Sequence, residues 1–361
     1  MRPMILLGNL ERGGAEGVAC ELVRRWSADG IACTVASMRG GGPMGAAFAA
    51  AGAAVHEGLA PRRWSPGWAR VARLMRRVKC DSLIVVDPLR NGLFHGLAGA
   101  RLAGGAATIC WCHSSPQGQG GRFVSRLRAY GGLGLLDLVV CVSEHQRREL
   151  AWAGLDSPAM EVVPNGVDLA GLAAGAGQGR RQGSPKVVLC VANAMPDKDF
   201  ATLADAWGRL AKRRGGVELV LAGRGTELVA GRHFADSRLP VRALGQRDDV
   251  PALLGSADVL VLSSRSETFG LAVLEAMAVG VPVVASDLPA IRELTGEEAA
   301  LLVAPGHAGA MAAALERVLG DEALAGQLRR AGLDRASLYD STLMADRMRQ
   351  LAESLIAGRA T

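Results

Sequence analysis

Residues 258–293 read DVLVLSSRSETFGLAVLEAMAVGVPVVASDLPAIRE, and the fold turns on this stretch. Two apolar β-branched runs, 258–264 and 282–286, flank a helical pattern. A strand, a helix and a second fully apolar strand form a βαβ unit, whose strands pair in parallel and are covered on both faces. The first strand ends at Ser263-Ser264, a short polar loop carries Glu267, and Thr268-Phe269-Gly270 opens the helix. A strand end feeding a helix start is an anion cradle, because the first-turn N–H groups are free and the dipole is positive there. Gly270 lets a backbone approach a phosphate closely. Glu275 lies about two turns into the helix. Two carboxylates so placed suit a diphosphate flanked by two polyols.

The same alternation extends in both directions. Strand-like runs at 186–192, 217–223, 241–245 and 300–305 join those two, with helical patterns between. Upstream, runs at 4–9, 33–38, 82–87, 107–113 and 138–143 alternate with helices such as 15–30. Between the two series, LAGLAAGAGQGRRQGSPK is a Gly/Ala/Gln stretch with linker character. The expected fold class is α/β, with two Rossmann-like domains of mostly parallel strands facing across a cleft. The expected boundaries are 1–169, a linker at 170–185, a second domain at 186–339 and a charged C-terminal helix at 340–361 that can return to the first domain. Ligands of open α/β sheets bind at the carboxyl ends of the strands.

Composition agrees. The 361 residues suffice for two or three domains at ~150 residues each, and a hydrophobic share of 49% excludes disorder as the main state. The 47 glycines and the 4% aromatic content suit tight strand-to-helix turns. No run reaches the ~18 apolar residues of a membrane span, and the start is too short and too soon broken for a signal peptide. The seven cysteines form no CxxC pair and read as small buried hydrophobes of a reducing cytosol. Cys110, Cys112 and His113 lack a second ligand pair, so no metal site is expected.

The flanking blocks carry a resemblance. Glu267-x7-Glu275 within SRSETFGLAVLEAMAVGVPVVAS is similar to the signature of retaining glycosyltransferases of the GT-B fold, of the group 1 or family-four type. Gly13-Gly14-Ala15-Glu16, Val142-Ser143 with Arg147, Pro164-Asn165-Gly166-Val167-Asp168, Leu221-Ala222-Gly223-Arg224-Gly225, and Leu244-Gly245 through Val250 match further blocks in order and spacing. The resemblance implies a hexosyltransferase with a nucleotide-diphosphate sugar as donor substrate and no cofactor. Catalytic roles fall on His113, Lys198 and Glu267. Glu267 would face the reacting end of the sugar, and Lys198 would offset the leaving diphosphate. Donor contacts fall on Gly14, Asn193, Arg224, Val250, Thr268, Phe269, Gly270, Leu271 and Glu275, with Glu275 on the ribose. The acceptor is a glycan, a lipid-linked sugar or a small molecule, as in polysaccharide biosynthesis. No acidic metal pair stands at a strand end, so metal-independent action is expected. One departure stands out: relatives carry an arginine where this chain has Asn193 or Met195, and Arg224 is the nearby substitute. This departure leaves open a second reading, a non-catalytic subunit that binds nucleotide sugar or scaffolds polysaccharide assembly.

The formal charge of +6 lies entirely in the front half: residues 1–170 hold 19 Lys/Arg against 13 Asp/Glu, and the rest hold 22 of each. No arginine-rich tract points to nucleic acid. Residues 62–79 hold seven basic residues and no acid. On a helical wheel, Trp68, Val71, Ala72, Leu74, Met75 and Val78 share one face, opposite Arg70, Arg73, Arg76 and Arg77. Either this is a surface helix packed on the sheet, or, with Arg62 and Arg63, it docks the first domain to an anionic membrane or acceptor. The expected location is cytoplasmic, including the cytoplasmic face of a membrane. The histidines at 56, 95, 145, 233 and 307 are read as structural.

Overall fold

The computed structural model describes residues 1–60, 66–87, 92–115, 122–177, 185–235 and 240–360. Arg62 and Arg63 lie outside these described residues. The chain divides into two compact units, one of residues 1–166 with 341–361, the other of residues 167–340.

In the first unit, the strands β1 (Pro3–Leu7), β2 (Thr34–Ser37), β3 (Ala54–His56), β4 (Ser82–Val86), β5 (Ala107–Cys112), β6 (Leu138–Cys141) and β7 (Ala159–Val162) form one sheet. Their order is β3-β2-β1-β4-β5-β6-β7, with parallel pairing throughout. The intervening helices are α1 (Gly14–Ala28), α2 (Met44–Ala50), α3 (Gly67–Val78), α4 (Gly92–Ala103), α5 (Arg122–Gly132) and α6 (Glu144–Trp152). Strands β1, β4 and β5 are buried at every position. That is why they read as unbroken apolar runs rather than alternating ones. The edge strands β3 and β7 are short and half-exposed, and no apolar run announces them.

The second unit opens with α7 (Leu169–Ala176), which occupies the front of the expected linker. The correction has a local cause. LAGLAAGA is rich in the strongest helix formers, and its glycines allow close approach: a Cβ on Gly175 would meet Pro251 at 2.9 Å. The sheet is built of β8 (Lys186–Val191), β9 (Val217–Ala222), β10 (Val241–Ala243), β11 (Val259–Leu262), β12 (Val283–Ser286) and β13 (Leu301–Val303), in the order β10-β9-β8-β11-β12-β13. Its helices are α8 (Phe200–Leu210), α9 (Thr226–His233), α10 (Val250–Gly255), α11 (Leu271–Ala278), α12 (Pro289–Thr295), α13 (Ala308–Gly320) and α14 (Glu322–Ala336). Trp207, Leu203 and Leu315 are fully buried in a core of sheet and helices.

The last helix, α15 (Ser341–Ala360), belongs to the first unit, as expected of a returning C-terminal helix. The Trp26 indole donates to the Ala345 carbonyl at 3.0 Å, and Arg359 pairs with Asp137 at 2.6 Å. In both sheets the chain builds outward in one direction, then returns and builds in the other. The reversals fall between β1 and β4 and between β8 and β11. Such a switch point leaves a crevice at the strands' carboxyl ends.

Candidate active site

In the second unit, both sides of the switch point carry charged side chains expected at the site. After β8 the chain makes one 3-10 turn, Pro196–Lys198, and Asp199 closes it in the left-handed region at φ 44°. The Asp199 carboxylate accepts from Thr202 N at 3.3 Å, which starts α8, and from Arg265 at 2.8 Å. After β11, Arg265 N donates to the Asp197 carbonyl at 2.7 Å, and the Ser263 hydroxyl donates to the Lys198 carbonyl at 2.8 Å. The two loops are therefore tied together through their backbones. Across that tie, Lys198 Nζ donates to Glu267 Oε1 at 2.7 Å and lies 3.2 Å from Asp197. Ser264 Oγ donates to the same Glu267 oxygen at 2.7 Å. Burial alone would lower the Lys198 pKa; Glu267 and Asp197 outweigh it and raise it. Lys198 is thus held charged among two carboxylates.

The loop after Glu267 enters α11 through Gly270, at φ 102°. A Cβ there would meet Ile291 Cδ1 at 2.5 Å, so the position requires glycine on both backbone and packing grounds. Phe269 is buried and meets the Tyr339 ring edge-on at 5.7 Å, fixing the approach to the helix. The first-turn N–H groups of α11 thus stand at the carboxyl end of β11, beside Glu267. Thr268 and Leu271 are half-buried on either side. Glu275, further along α11, is half-buried with no hydrogen-bond or ion-pair partner among the described residues. Burial pushes its carboxyl up to about 7. An unpartnered carboxylate of this kind is poised to accept from ligand hydroxyls, which would repay its lost hydration.

One strand further out, Asn193 Oδ1 accepts from Arg224 N at 3.0 Å, and Ala194 N donates to the Arg224 carbonyl at 2.8 Å. The Asn193 side chain is therefore spent on holding the glycine turn, and Met195 is exposed. Neither replaces the arginine of the resembling family. Arg224 is exposed, and Val250 opens α10.

The first unit's switch point is differently furnished. Gly14 begins α1 after β1. His113 follows β5, half-buried with its ring 4.8 Å from Trp111. Burial lowers its pKa to about 4, opposed by Asp87, so the imidazole is neutral at ordinary pH. Asp87, at the end of β4, sits at φ 41° and accepts from Ser114 N at 3.0 Å and Ser114 Oγ at 2.7 Å. Gln146 donates to the Ser114 carbonyl at 3.0 Å and accepts from Val142 N at 2.8 Å. Sequence reasoning missed Asp87, Ser114 and Gln146. The Ser143-x-x-Gln146 spacing of a helix-capping box was the available signal, and Ser143 Oγ does accept from Gln146 N at 3.1 Å.

On α3, Val71, Ala72, Leu74 and Met75 are buried and Arg70, Arg73, Arg76 and Arg77 are exposed, none paired with a carboxylate among the described residues. Trp68 departs from its expected burial, at 39% exposure. Among the described residues no helix is long and apolar enough to cross a membrane, and no cluster of three His, Cys, Asp or Glu could hold a metal ion. All seven cysteines are free.

Two family models match the chain: Glycosyltransferase Family 4 over residues 12–170, and Glycosyl transferases group 1 over residues 185–321. The chain belongs to the group 1/family 4 glycosyltransferases. The match to the phosphatidyl-myo-inositol mannosyltransferase of Mycolicibacterium smegmatis is 36% identical over 60% of this chain and 57% of that protein. A glycogen synthase of Mycobacterium tuberculosis is 32% identical over 48% of this chain and 43% of that protein. The chain thus aligns with less than two thirds of the length of these relatives. Among solved structures, Anabaena HepE in complex with UDP and glucose superposes with a TM-score of 0.81 at 20% identity, covering 97% of this chain and 99% of that one. The sucrose-phosphate synthase of Thermosynechococcus elongatus gives 0.75 at 20% identity, covering 99% and 100%. The fold of this family 4 chain is accordingly GT-B.

Proposed function

We propose that the protein transfers a sugar from a nucleotide-diphosphate sugar to an acceptor hydroxyl, with retention at the anomeric carbon. The observation that carries this reading is the Lys198–Glu267 pair at the β8/β11 switch point, beside the Gly270 turn that opens α11. The turn's free N–H groups, with Phe269, Gly270 and Leu271, take the diphosphate. Thr268 adds a polar contact, and Arg224 and Val250 bound the donor on the nucleoside side. Glu275 accepts from ribose hydroxyls. Glu267, oriented by Ser264 and Lys198, accepts from sugar hydroxyls near the reacting carbon. Lys198 offsets charge on the departing diphosphate, an electrostatic contribution that one such group supplies at about 3 kcal/mol. The acceptor oxygen bonds to the anomeric carbon on the face the diphosphate leaves, and a phosphate oxygen takes the acceptor proton. No cofactor or metal is assigned a step.

The first unit receives the acceptor, with neutral His113 and Gly14 at its strand ends. A lipid-linked or cell-envelope acceptor is the preferred class, in keeping with the named activity of the mycobacterial relatives. Trp68, Phe94 and Leu102 are exposed apolar residues on α3 and α4, and Arg76 donates to the Leu102 carbonyl, joining them to the arginine face. Arginine beside exposed aromatic residues suits an anionic lipid surface. We therefore place the protein in the cytoplasm, bound peripherally to the membrane through this face.

The test is a panel of UDP-, GDP- and ADP-linked sugars, beginning with UDP-glucose, scored for binding and slow hydrolysis. At least one should bind and turn over, and Lys198→Ala should reduce turnover about a hundredfold. Binding without turnover of any donor would transfer the case to the scaffolding reading.

A further inference from the structure

A separate cavity of about 340 Å³ opens in the second unit, lined by Ala194, Arg224, Gly225, Leu228, Arg232 and His233 among others. Its lining includes none of Lys198, Glu267, Gly270 and Glu275. It stands at the carboxyl ends of β8 and β9, one strand away from the switch point.

Its walls are fixed by backbone geometry. The loop after β8 and the Gly223-Arg224-Gly225 turn are tied by Arg224 N to Asn193 Oδ1 and by Ala194 N to the Arg224 carbonyl. Gly223 and Gly225 both have positive φ, at 143° and 81°. A Cβ on Gly223 would strike the Ala192 carbonyl at 2.1 Å, and one on Gly225 would meet Ala194 Cβ at 3.0 Å. The two glycines therefore let the turn lie flat against the loop and hold Arg224 at the rim. The turn leads directly into α9, whose N-cap is Gly225 and whose Leu228, Arg232 and His233 complete the lining.

The chemistry of the lining is one-sided. Arg224, Arg232 and His233 line the space, and among the described residues no carboxylate lines it. None of the three is ion-paired among the described residues. The other exposed arginines of this unit commonly have a carboxylate partner, as Arg209 has Asp205, Arg247 has Asp249 and Arg292 has Asp287. Cations in the last turn of α9 suit its dipole, but that accounts for Arg232 and His233 alone, not for Arg224, which directly precedes the N-cap of the same helix. Leu228 is 81% exposed, an apolar side chain left in water beside the cations.

We propose that this cavity is a second binding site, for a small phosphomonoester. Its phosphoryl group is gripped between Arg224 and Arg232, and its organic part rests on Leu228. Planar guanidinium forks match phosphate oxygens in pairs. The volume lies at the small end of ligand sites, which fits a phosphorylated sugar rather than a dinucleotide. This site goes beyond the donor site and shares only Arg224 with the proposed donor contacts.

The test is calorimetric titration of the full chain with glucose 6-phosphate in saturating UDP, with glucose as the neutral control. One-to-one binding of glucose 6-phosphate is expected, with none for glucose. Arg232→Ala, at an exposed position, should weaken it at least tenfold, and Leu228→Asp, which places a carboxylate at the cavity, at least as much. UDP affinity should stay unchanged in both variants. Equal binding of glucose, an unaltered affinity in both variants, or displacement by UDP would each overturn the proposal. UDP that fails to bind at all would count against the donor reading and leave the glucose 6-phosphate signal to be judged by the same two variants.

Discussion

The two units share one wiring and furnish their switch points with opposite chemistry. At β8/β11 the ends carry a charged set: Lys198 between Glu267 and Asp197, with a glycine-gated helix start alongside. At β1/β4 and the neighbouring β5 end, the set is a hydrogen-bonded network of Asp87, Ser114 and Gln146 beside a neutral His113. Overall charge runs the other way. The first unit, with its C-terminal helix, holds 22 Lys/Arg against 14 Asp/Glu, and the second holds 19 against 21. On the proposed function, the comparison teaches that binding a compact dianion would need a few placed groups, whereas the diffuse excess on the first unit would serve a surface. Net charge and site charge are separate designs.

The harshest way to break the second unit's switch-point site is at its glycine. Gly270→Val forces a β-branched side chain into φ 102° and onto Ile291. A loss of about 3 kcal/mol or more in denaturant unfolding is expected, combining backbone strain and overpacking, together with loss of nucleotide binding. The matching change at Gly14, which lies in the first unit's helix start without positive φ, should cost far less.

The next test separates charge from shape. Lys198→Met keeps most of the stem but leaves Glu267 and Asp197 without their cation. Breaking a buried pair from one side costs about 3–5 kcal/mol in the extreme, and the partial exposure here reduces that. Turnover should fall by about two orders of magnitude, and Lys198→Arg should restore part of it. Ser114→Ala in the first unit should lower stability by about 1–3 kcal/mol by removing the hydroxyl's bond to Asp87 while keeping the backbone one, and leave nucleotide affinity unchanged.

The two units should also answer differently to pH. Glu275 has its carboxyl raised to about 7 from an ordinary 4.5, so the folded state holds the extra proton between those values. Stability from this group is therefore present at low pH and falls as pH rises from about 4.5 through 7. Glu275→Gln should flatten that slope, read as melting temperature against pH. His113 does the reverse: its pKa falls to about 4 from 6.5, the unfolded chain binds the extra proton, and stability falls as pH drops from 6.5 toward 4. His113→Gln should remove that loss. The smallest effect belongs to the surface: Arg73→Gln with Arg77→Gln should weaken sedimentation with anionic vesicles by about 1 kcal/mol per residue, and leave binding to neutral vesicles and soluble-donor hydrolysis unaltered.

The sequence made the second sheet legible because its four inner strands are apolar runs bounded by turn residues, and its short edges, VRA at β10 and LLV at β13, still keep apolar ends. In the first sheet the central strands were equally plain, but β3 and β7 are short edges with half-exposed side chains, and an edge needs no continuous apolar run. The start of α7 was hidden by glycines that read as linker but serve close packing. At the site, Glu267, Gly270 and Lys198 were legible because a strand end, a turn and a helix start fix them locally. The ties through Ser263, Asp199 and Arg265 were not, since like the Lys198–Glu267 pair they join loops 65 to 69 residues apart along the chain. Asn193 showed the limit most clearly. Its sequence position marked a missing cation, and only the structure gave its role as an anchor for Arg224.

The central claim is that the β8/β11 switch point holds a nucleotide-diphosphate sugar. Calorimetric titration with UDP-, GDP- and ADP-sugars, run on the wild-type chain and on Gly270→Val and Glu275→Ala, tests it most directly. The account predicts one-to-one binding of at least one donor, weakened at least tenfold by Glu275→Ala in a chain that still melts cooperatively, and lost in Gly270→Val. No binding of any donor to the wild-type chain, or equal affinity in Glu275→Ala, would contradict it.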